Sequence, residues 1–413
     1  MSQADSVLVI SAKQAVEGAK SKAWMLPFAL LLSVIAIDSI DSNSFGPVLA
    51  QIKAAWTMTN TDVGVYTSMA GLIPLLVAVP IGEAVKRWGL KRAVMAAVAV
   101  IVVGSLIMAT AATFPQGLTG RVFAAAGIRM ATVAAWAGAT MVAPASVMTT
   151  SWTIMNTANA VGAIIGPPFV GGYVGGTYGW PAVFLTLAAL SVVTIVVIGL
   201  FLRMPSGKTA AKDSNVAAAA AADTNYNVYK NWDIYLMGAI FTLMIGSTLG
   251  TTLSFAPLAM AQRWKMDPQS IGNILGLSYS VGLPVMLATG VLADKLRTRK
   301  KLMIATAFPM AAGLFLLTSS DQNLFTLGLI GYLGFAYAPG AMLYACAPDM
   351  VPKGTNLGPV YGLLATVSNA GGFVAPIVVG YVRDTTGDFN PGFILLGTLC
   401  TLSILLSFKL RAR

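Results

Sequence analysis

Apolar runs long enough to cross a bilayer recur along nearly the whole chain, and they limit the possible folds more than any other feature. A membrane-spanning helix needs about 20 predominantly apolar residues. Such runs fall at about 24–49, 62–85, 92–112, 116–142, 150–174 and 180–202, then at about 233–258, 270–293, 301–319, 323–346, 357–382 and 390–409. A polar stretch at 204–231 separates the two sets, with Ala217 to Ala222 bounded by Asp213 and Asp223. Inside hydrocarbon every backbone N–H and C=O needs a protein partner, so only helices and closed barrels span it. Barrel strands alternate polar and apolar residues, and these runs do not. The expected fold is all-α, with twelve transmembrane helices. They form two six-helix halves, 23–203 and 232–413, joined by a linker at 204–231 and preceded by a tail at 1–22.

Composition narrows the function classes. Only 10% of the 413 residues are charged, against about 25% in soluble proteins. The mean hydropathy is +0.76. Cys346 and Cys400 both sit in apolar runs, and the chain has no histidine. This leaves no disulfide framework, thiolate metal site or imidazole relay. With no Ser/His/Asp set, metal-ligand cluster or phosphate loop, neither an enzyme nor a cofactor is expected.

The net charge of +11 invites a nucleic-acid partner, but its distribution favours membrane orientation. The first 22 residues lack an apolar signal core and are expected to be a cytoplasmic tail. Twelve spans then put 20 of the 26 Lys and Arg inside and four (Lys53, Arg263, Lys265 and Arg383) outside. Arg121 and Arg129 fall within a span. This bias predicts a multi-pass protein of a bacterial inner membrane, with both termini cytoplasmic. Its partners are expected to be the lipid bilayer, a small molecule and protons, with no nucleic acid. A monomer is expected.

The two halves repeat each other. Ser44-Phe45-Gly46-Pro47 ends the first span, and Ser254-Phe255-Ala256-Pro257 ends the seventh. Gly64 and Gly82 bracket the second span at the same separation as Gly272 and Gly290 in the eighth. Asn159, Pro167 and Gly172-Tyr173 are echoed by Asn369, Pro376 and Gly380-Tyr381. A parallel repeat of this kind predicts a binding site between the halves, near the bilayer midplane.

Charge inside the spans marks candidate chemistry. Asp38 and Asp41 interrupt the first apolar run, three residues apart and therefore on one helix face. A carboxylate within a bilayer is expensive, and it persists where it faces a cavity, pairs with a base or carries protons. Arg121 and Arg129 in the fourth span are the available bases. At 1.5 Å per residue, Arg121 lies ~9 Å below the outer boundary and Asp38 ~21 Å up a core of ~30 Å. That arithmetic sets Asp38 level with Arg121. Arg129 lies ~12 Å further in. A structural Asp–Arg bridge between the first and fourth helices is the plainer reading of the same residues. The second half shows no charge within its spans, so its wall is expected to be polar and aromatic: Tyr279, Tyr332, Tyr337, Tyr344, Tyr361, Ser368 and Asn369. Tyr66, Trp136, Asn156 and Asn159 are the counterparts in the first half.

Two loops carry the most specific pattern. After the second span the chain reads Gly82-Glu83-Ala84-Val85-Lys86-Arg87-Trp88-Gly89-Leu90-Lys91-Arg92. After the eighth it reads Gly290-Val291-Leu292-Ala293-Asp294-Lys295-Leu296-Arg297-Thr298-Arg299. These loops resemble the G-x-x-x-D-[RK]-x-G-[RK]-[RK] signature of the major facilitator superfamily, and the resemblance covers essentially the whole chain. Lys86 stands at the first aspartate position, with Glu83 one turn earlier, and Arg297 replaces the second glycine. The resemblance implies alternating access, with Gly82, Glu83, Arg87, Gly89, Gly290, Asp294 and Arg299 in a cytoplasmic gate. Gly162 to Gly172, with Pro167 and Pro168, looks like the family's fifth helix and resembles an antiporter signature one residue too long. Asp41-Ser42-Asn43-Ser44 resembles the Asp-Arg-x-x-[IL]-S start of the organic anion:cation symporter branch, with Ser42 in the arginine position.

The expected function is secondary active transport of a small organic anion, a carboxylate, by proton-coupled symport. Arg121, with Arg129, would attract the anion. Tyr66, Trp136, Asn159, Tyr279, Tyr337, Tyr344, Tyr361 and Asn369 would line its path. Asp38 or Asp41 would carry the proton. The alternative is a proton-driven exporter of lipophilic or cationic compounds, in which the two aspartates bind the cation and the arginines are structural.

Overall fold

The computed structural model describes residues 24–144, 148–203, 230–250, 254–296, 298–352 and 357–410. The tail at 1–22 and nearly all of the linker at 204–231 lie outside them. Among the described residues the chain forms twelve long helices and no strand. They are α1 (Met25–Ser44), α2 (Asn60–Trp88), α3 (Leu90–Thr110), α4 (Phe114–Val142), α5 (Met148–Ile165), α6 (Trp180–Phe201), α7 (Trp232–Gly250), α8 (Pro268–Leu296), α9 (Arg299–Leu316), α10 (Gln322–Cys346), α11 (Leu357–Thr386) and α12 (Asn390–Ser407). Short helices prolong α1 and α7 beyond a break, as Leu49–Ala55 and Ala256–Arg263. Six helices (α1, α3, α4, α6, α8 and α12) are long and apolar enough to cross a membrane by length and composition alone. On α6, Val193, Val196 and Leu200 are exposed, an apolar face suited to lipid rather than water.

The chain's punctuation explains where helices stop and bend. Thr59 opens α2 with a capping box: its hydroxyl accepts from the Asp62 N–H at 3.0 Å, and the Asp62 carboxylate accepts from the Thr59 N–H at 2.9 Å. Gly89 turns α2 into α3 at φ +78°, and Gly179 leads into α6 at φ +84°. Both angles favour glycine. Beyond α5 the chain widens into a π-helix over Gly166–Val174. Pro167 and Pro168 lack the N–H groups that an α-helix needs there.

Helix packing repeats with the sequence. In the first half α1 packs on α5, α2 on α4, and α3 on α4 and α6. Six helices later α7 packs on α11, α8 on α10, and α9 on α10 and α12. Across the halves α2 meets α11, and α8 meets α5 with its π-helical extension. The same shift of six exchanges these two seams. The fold is therefore two six-helix halves related by pseudo-symmetry.

Both seams are tight on the face away from the start of α1 and the end of α12, the described termini of the helical bundle. A methyl group on Gly64 would overlap the Pro376 carbonyl, and one on Gly272 would overlap the Pro167 carbonyl. At the end of the α2–α11 seam the Asp384 carboxylate caps the N-terminus of α2. It accepts from the Asn60 and Thr61 N–H groups at 3.0 and 2.7 Å, and from both their side chains at 2.7 Å. The free N–H groups and dipole of a helix start favour such an anion. On the termini's face, space is open beside Gly290.

Candidate functional site

A cavity of about 610 Å³ lies between the halves, on the termini's side of the two seams. Residues from α1, α2, α4 and α5 line one wall, and residues from α7, α8, α10 and α11 line the other. Asp38 and Arg129 are the charged side chains among its described lining residues. Both stand on the wall of the first half.

The α1 side of the wall follows from spacing. Asp38, Ser39, Ser42 and Asn43 all line the cavity, as offsets of one, four and five residues allow on one face. Asp38 is buried. Its carboxylate accepts from the Thr132 hydroxyl at 2.5 Å and the Ser42 hydroxyl at 3.4 Å. Thr132 lies three residues after Arg129 on α4, which brings both onto the face that meets α1. Arg129 is half-buried and lines the same wall as Asp38. Asn156 and Asn159 complete this wall from α5.

Arg121 and Asp41 occupy a different environment, and neither is among the lining residues. Arg121 is 2% exposed, and its Nη1 lies 3.9 Å from Asp41 Oδ1. Its guanidinium stands over the Phe45 ring at 4.5 Å and the Tyr66 ring at 5.5 Å. The Tyr66 hydroxyl donates to Met108 Sδ at 3.2 Å. The Arg–Asp distance is too long for a hydrogen bond, and Asp41 Oδ2 and Arg121 Nε have no hydrogen-bond partner among the described residues. Depth arithmetic paired Arg121 with Asp38. In the structure Arg121 meets Asp41 one turn further along α1, and Asp38 meets Thr132. The arithmetic treated both helices as straight and assumed where they enter the bilayer.

The opposite wall carries Tyr279 and Tyr337, with ring centroids 6.3 Å apart, and Thr248, Ser368 and Asn369. The Tyr279 hydroxyl donates to Asn43 Oδ1 at 2.8 Å, joining α8 to α1 across the two halves. Trp136 packs against the apolar core of the first half, and Tyr66 and Tyr332 are fully buried. None of the three lines the cavity. The side chains of Glu83, Asp294, Tyr344 and Tyr361, and the environment of Gly82, lie outside what the structure describes. Arg87, Gly89 and Arg299 lie at the α2–α3 and α8–α9 turns, and Gly290 lies within the last two turns of α8.

Sequence reading passed over several lining residues. Ser39 and Asn43 belonged to the acidic stretch but were not singled out, and Ser42 was noted only for its place in the symporter motif, although all three share the face of Asp38. Thr132 sits one turn from Arg129, a spacing that points to it. Phe241, Met244, Ile245 and Met286 gave no signal, because such residues are common in any apolar span.

The family model of the Major Facilitator Superfamily matches residues 31–376 and 236–413. A probable nitrate transporter, NarT, of Staphylococcus haemolyticus is 22% identical over 253 residues, covering 60% of this chain and 61% of that protein. The chain thus spans about three fifths of this relative's length. A 3-(3-hydroxy-phenyl)propionate transporter of Escherichia coli is 24% identical over 368 residues, 87% of each chain. Among solved structures, a bacterial homolog of the human lysosomal transporter Spinster, in an inward-facing and occupied conformation, superposes with a TM-score of 0.77 at 14% identity. That superposition covers 94% of this chain and 97% of the other, and it matches the fold of two six-helix halves. With twelve helices in repeated halves, a cavity between them and a family model that matches both, the chain belongs to the Major Facilitator Superfamily of transporters.

Proposed function

We propose that this protein carries a small organic anion, a carboxylate, across the membrane by alternating access, coupled to protons. The observation that carries the reading is that Asp38 and Arg129 line the same cavity wall and are the charged groups among its described lining residues. The names of the relatives support the anion: one is a probable nitrate transporter and one a phenylpropionate transporter.

Arg129 provides the positive charge for the anion, and a guanidinium can hold a carboxylate through two parallel hydrogen bonds. Asp38 is the coupling group. Burial favours its neutral acid, and the Arg129 charge favours its carboxylate. An anion on Arg129 neutralises that charge, so Asp38 takes up a proton as the anion binds. Proton and anion then travel together. Arg121 and Asp41, enclosed beside the cavity, hold α1 against α4. This assigns the anion to Arg129 rather than to Arg121.

The charge bias of the loops supports cytoplasmic termini. The described arrangement is then inward-facing, with Asp384 and the glycine seams closing the outer side. Substrate release to the other side requires these seams to part and the Tyr279–Asn43 hydrogen bond to break.

The test is uptake of labelled carboxylates into proteoliposomes under an imposed pH gradient. Arg129→Ala should abolish uptake. Asp38→Asn should retain exchange of anion across the membrane while losing acceleration by the gradient. Normal gradient-driven uptake in both variants would sink the mechanism. Export of lipophilic cations, unaffected by Arg129→Ala and lost in Asp38→Asn, would favour the exporter.

A further inference from the structure

The two cavity walls differ in chemistry. On the wall of the first half, Asp38, Ser39, Ser42, Asn43, Arg129 and Asn159 are all charged or polar. The opposing wall has no charged group among its described residues and sets Phe241, Met244, Ile245, Met286 and Leu333 beside the neutral polar Thr248, Tyr279, Tyr337, Ser368 and Asn369. From the asymmetry we infer that the transported anion is an amphipathic monocarboxylate. Its head lies on Arg129, and an apolar body of about ring size lies against α7, α8 and α10. This rests on the anion reading above and names the substrate class for that site.

Three observations carry the inference. First, the charge of the described lining balances, with one arginine and one aspartate. A single carboxylate satisfies Arg129 when Asp38 is protonated. A second carboxylate would enter a site with no further cation among the described lining residues, and an unpaired buried charge is costly.

Second, the apolar part of that wall offers nothing to a polyhydroxylated ligand, and the polar groups of the wall are confined, among the described lining residues, to Thr248, Tyr279, Tyr337, Ser368 and Asn369. Phe241, Met244, Ile245, Met286 and Leu333 have no hydroxyl or amide to replace the water that sugar hydroxyls would lose. The Tyr279 hydroxyl beside them is already committed to Asn43 at 2.8 Å. Stripping hydroxyls without replacement hydrogen bonds costs affinity, whereas a hydrocarbon body gains from leaving water.

Third, the wall is made of adaptable and flat groups. Two methionines fill irregular shapes and contact rings favourably. The tilted Tyr279–Tyr337 pair, with centroids 6.3 Å apart, presents an aromatic surface. About 610 Å³ is within the range of ligand pockets, and it exceeds what nitrate or acetate would fill.

The experiment is a binding series by thermal shift and calorimetry on the purified full chain. The probes are 3-phenylpropanoate, hexanoate, glucuronate, glutarate and the neutral 3-phenylpropan-1-ol. The inference predicts that 3-phenylpropanoate and hexanoate bind at least tenfold more tightly than glucuronate and glutarate. It also predicts that Met286→Gln, which keeps volume and adds polarity, and Ile245→Thr, which removes apolar surface and adds a hydroxyl, each weaken 3-phenylpropanoate several-fold without weakening glucuronate. Tighter binding of glucuronate or glutarate, lost in Arg129→Ala, would overturn the amphipathic substrate and leave the anion reading standing. Binding of 3-phenylpropan-1-ol as tight as that of the acid, unchanged in Arg129→Ala, would instead overturn the anion reading. Equal affinity for all four acids would also overturn the inference, since the apolar wall would then contribute nothing.

Discussion

Arg121 and Arg129 are eight residues apart on the same helix, yet the fold gives them opposite surroundings. Arg121 is 2% exposed and sits over the rings of Phe45 and Tyr66 with Asp41 at 3.9 Å. Arg129 is half-buried in a cavity wall, near an Asp38 whose oxygens accept from Thr132 and Ser42. A cation enclosed by aromatic rings and one carboxylate is held in place and has no room for a ligand. A cation in a cavity wall, whose neighbouring carboxylate is bonded elsewhere, can exchange that neighbour for a substrate. The difference lies in what packs around each arginine: α2 brings Tyr66 to Arg121, and the space between the halves is left to Arg129.

The largest effect should come from breaking the enclosed pair. Arg121→Ala leaves Asp41 buried without its cation, and removing one partner of a buried pair costs about 3–5 kcal/mol. The melting temperature in detergent should fall sharply. The double variant Arg121→Met with Asp41→Leu should restore stability, since an apolar replacement of a buried pair is often neutral. If the single variant is as stable as wild type, the enclosed pair has no structural role.

Next in size is the loss of the cavity arginine. Arg129→Ala should leave the melting temperature of the ligand-free protein near that of wild type. It should weaken carboxylate binding by about 10- to 100-fold, the worth of a hydrogen bond to a charged group at about 1.5–3 kcal/mol. Calorimetric titration measures this directly. A fall in ligand-free stability as large as that of Arg121→Ala would erase the contrast between the two arginines.

The smallest effect concerns the seal. Asp384→Ala removes four hydrogen bonds and a helix-capping charge from the α2–α11 seam. Exposed contacts of this kind are worth about 1 kcal/mol in total, so the sealed face should open several-fold more often. A cysteine placed at Ser39, labelled by an impermeant maleimide from the face away from the termini, reports the change. An unchanged labelling rate would leave the glycine packing as the whole of the seal.

Much of the fold was legible because membrane insertion writes it into the sequence coarsely. Twelve apolar runs, and glycines at matched positions such as Gly64 and Gly272, foretold helices and a repeat, and both glycines lie in the seams between halves. Ends were less legible. The second run was read at 62–85, and α2 extends over Asn60–Trp88, because its Thr59–Asp62 capping box lies beyond the apolar stretch. The π-helical continuation of α5 was announced only as prolines. In the site, Asp38, Arg129, Asn159, Tyr279, Tyr337 and Asn369 were readable as polar groups in apolar runs, and they do line the cavity. Arg121, Tyr66 and Trp136 carried the same signal but face packed interior, since sequence gives depth along a helix more readily than what lies beside it. Asp384 gave no sign at all: its partner is more than 300 residues away.

The most direct test of the account compares binding of one carboxylate, whichever most stabilises the wild type, across three proteins by calorimetry. These are the wild type, Arg129→Ala, and the Arg121→Met, Asp41→Leu double variant. The account predicts affinity lost in Arg129→Ala and kept in the double variant. Affinity kept in Arg129→Ala and lost in the double variant would place the anion at Arg121 and contradict it.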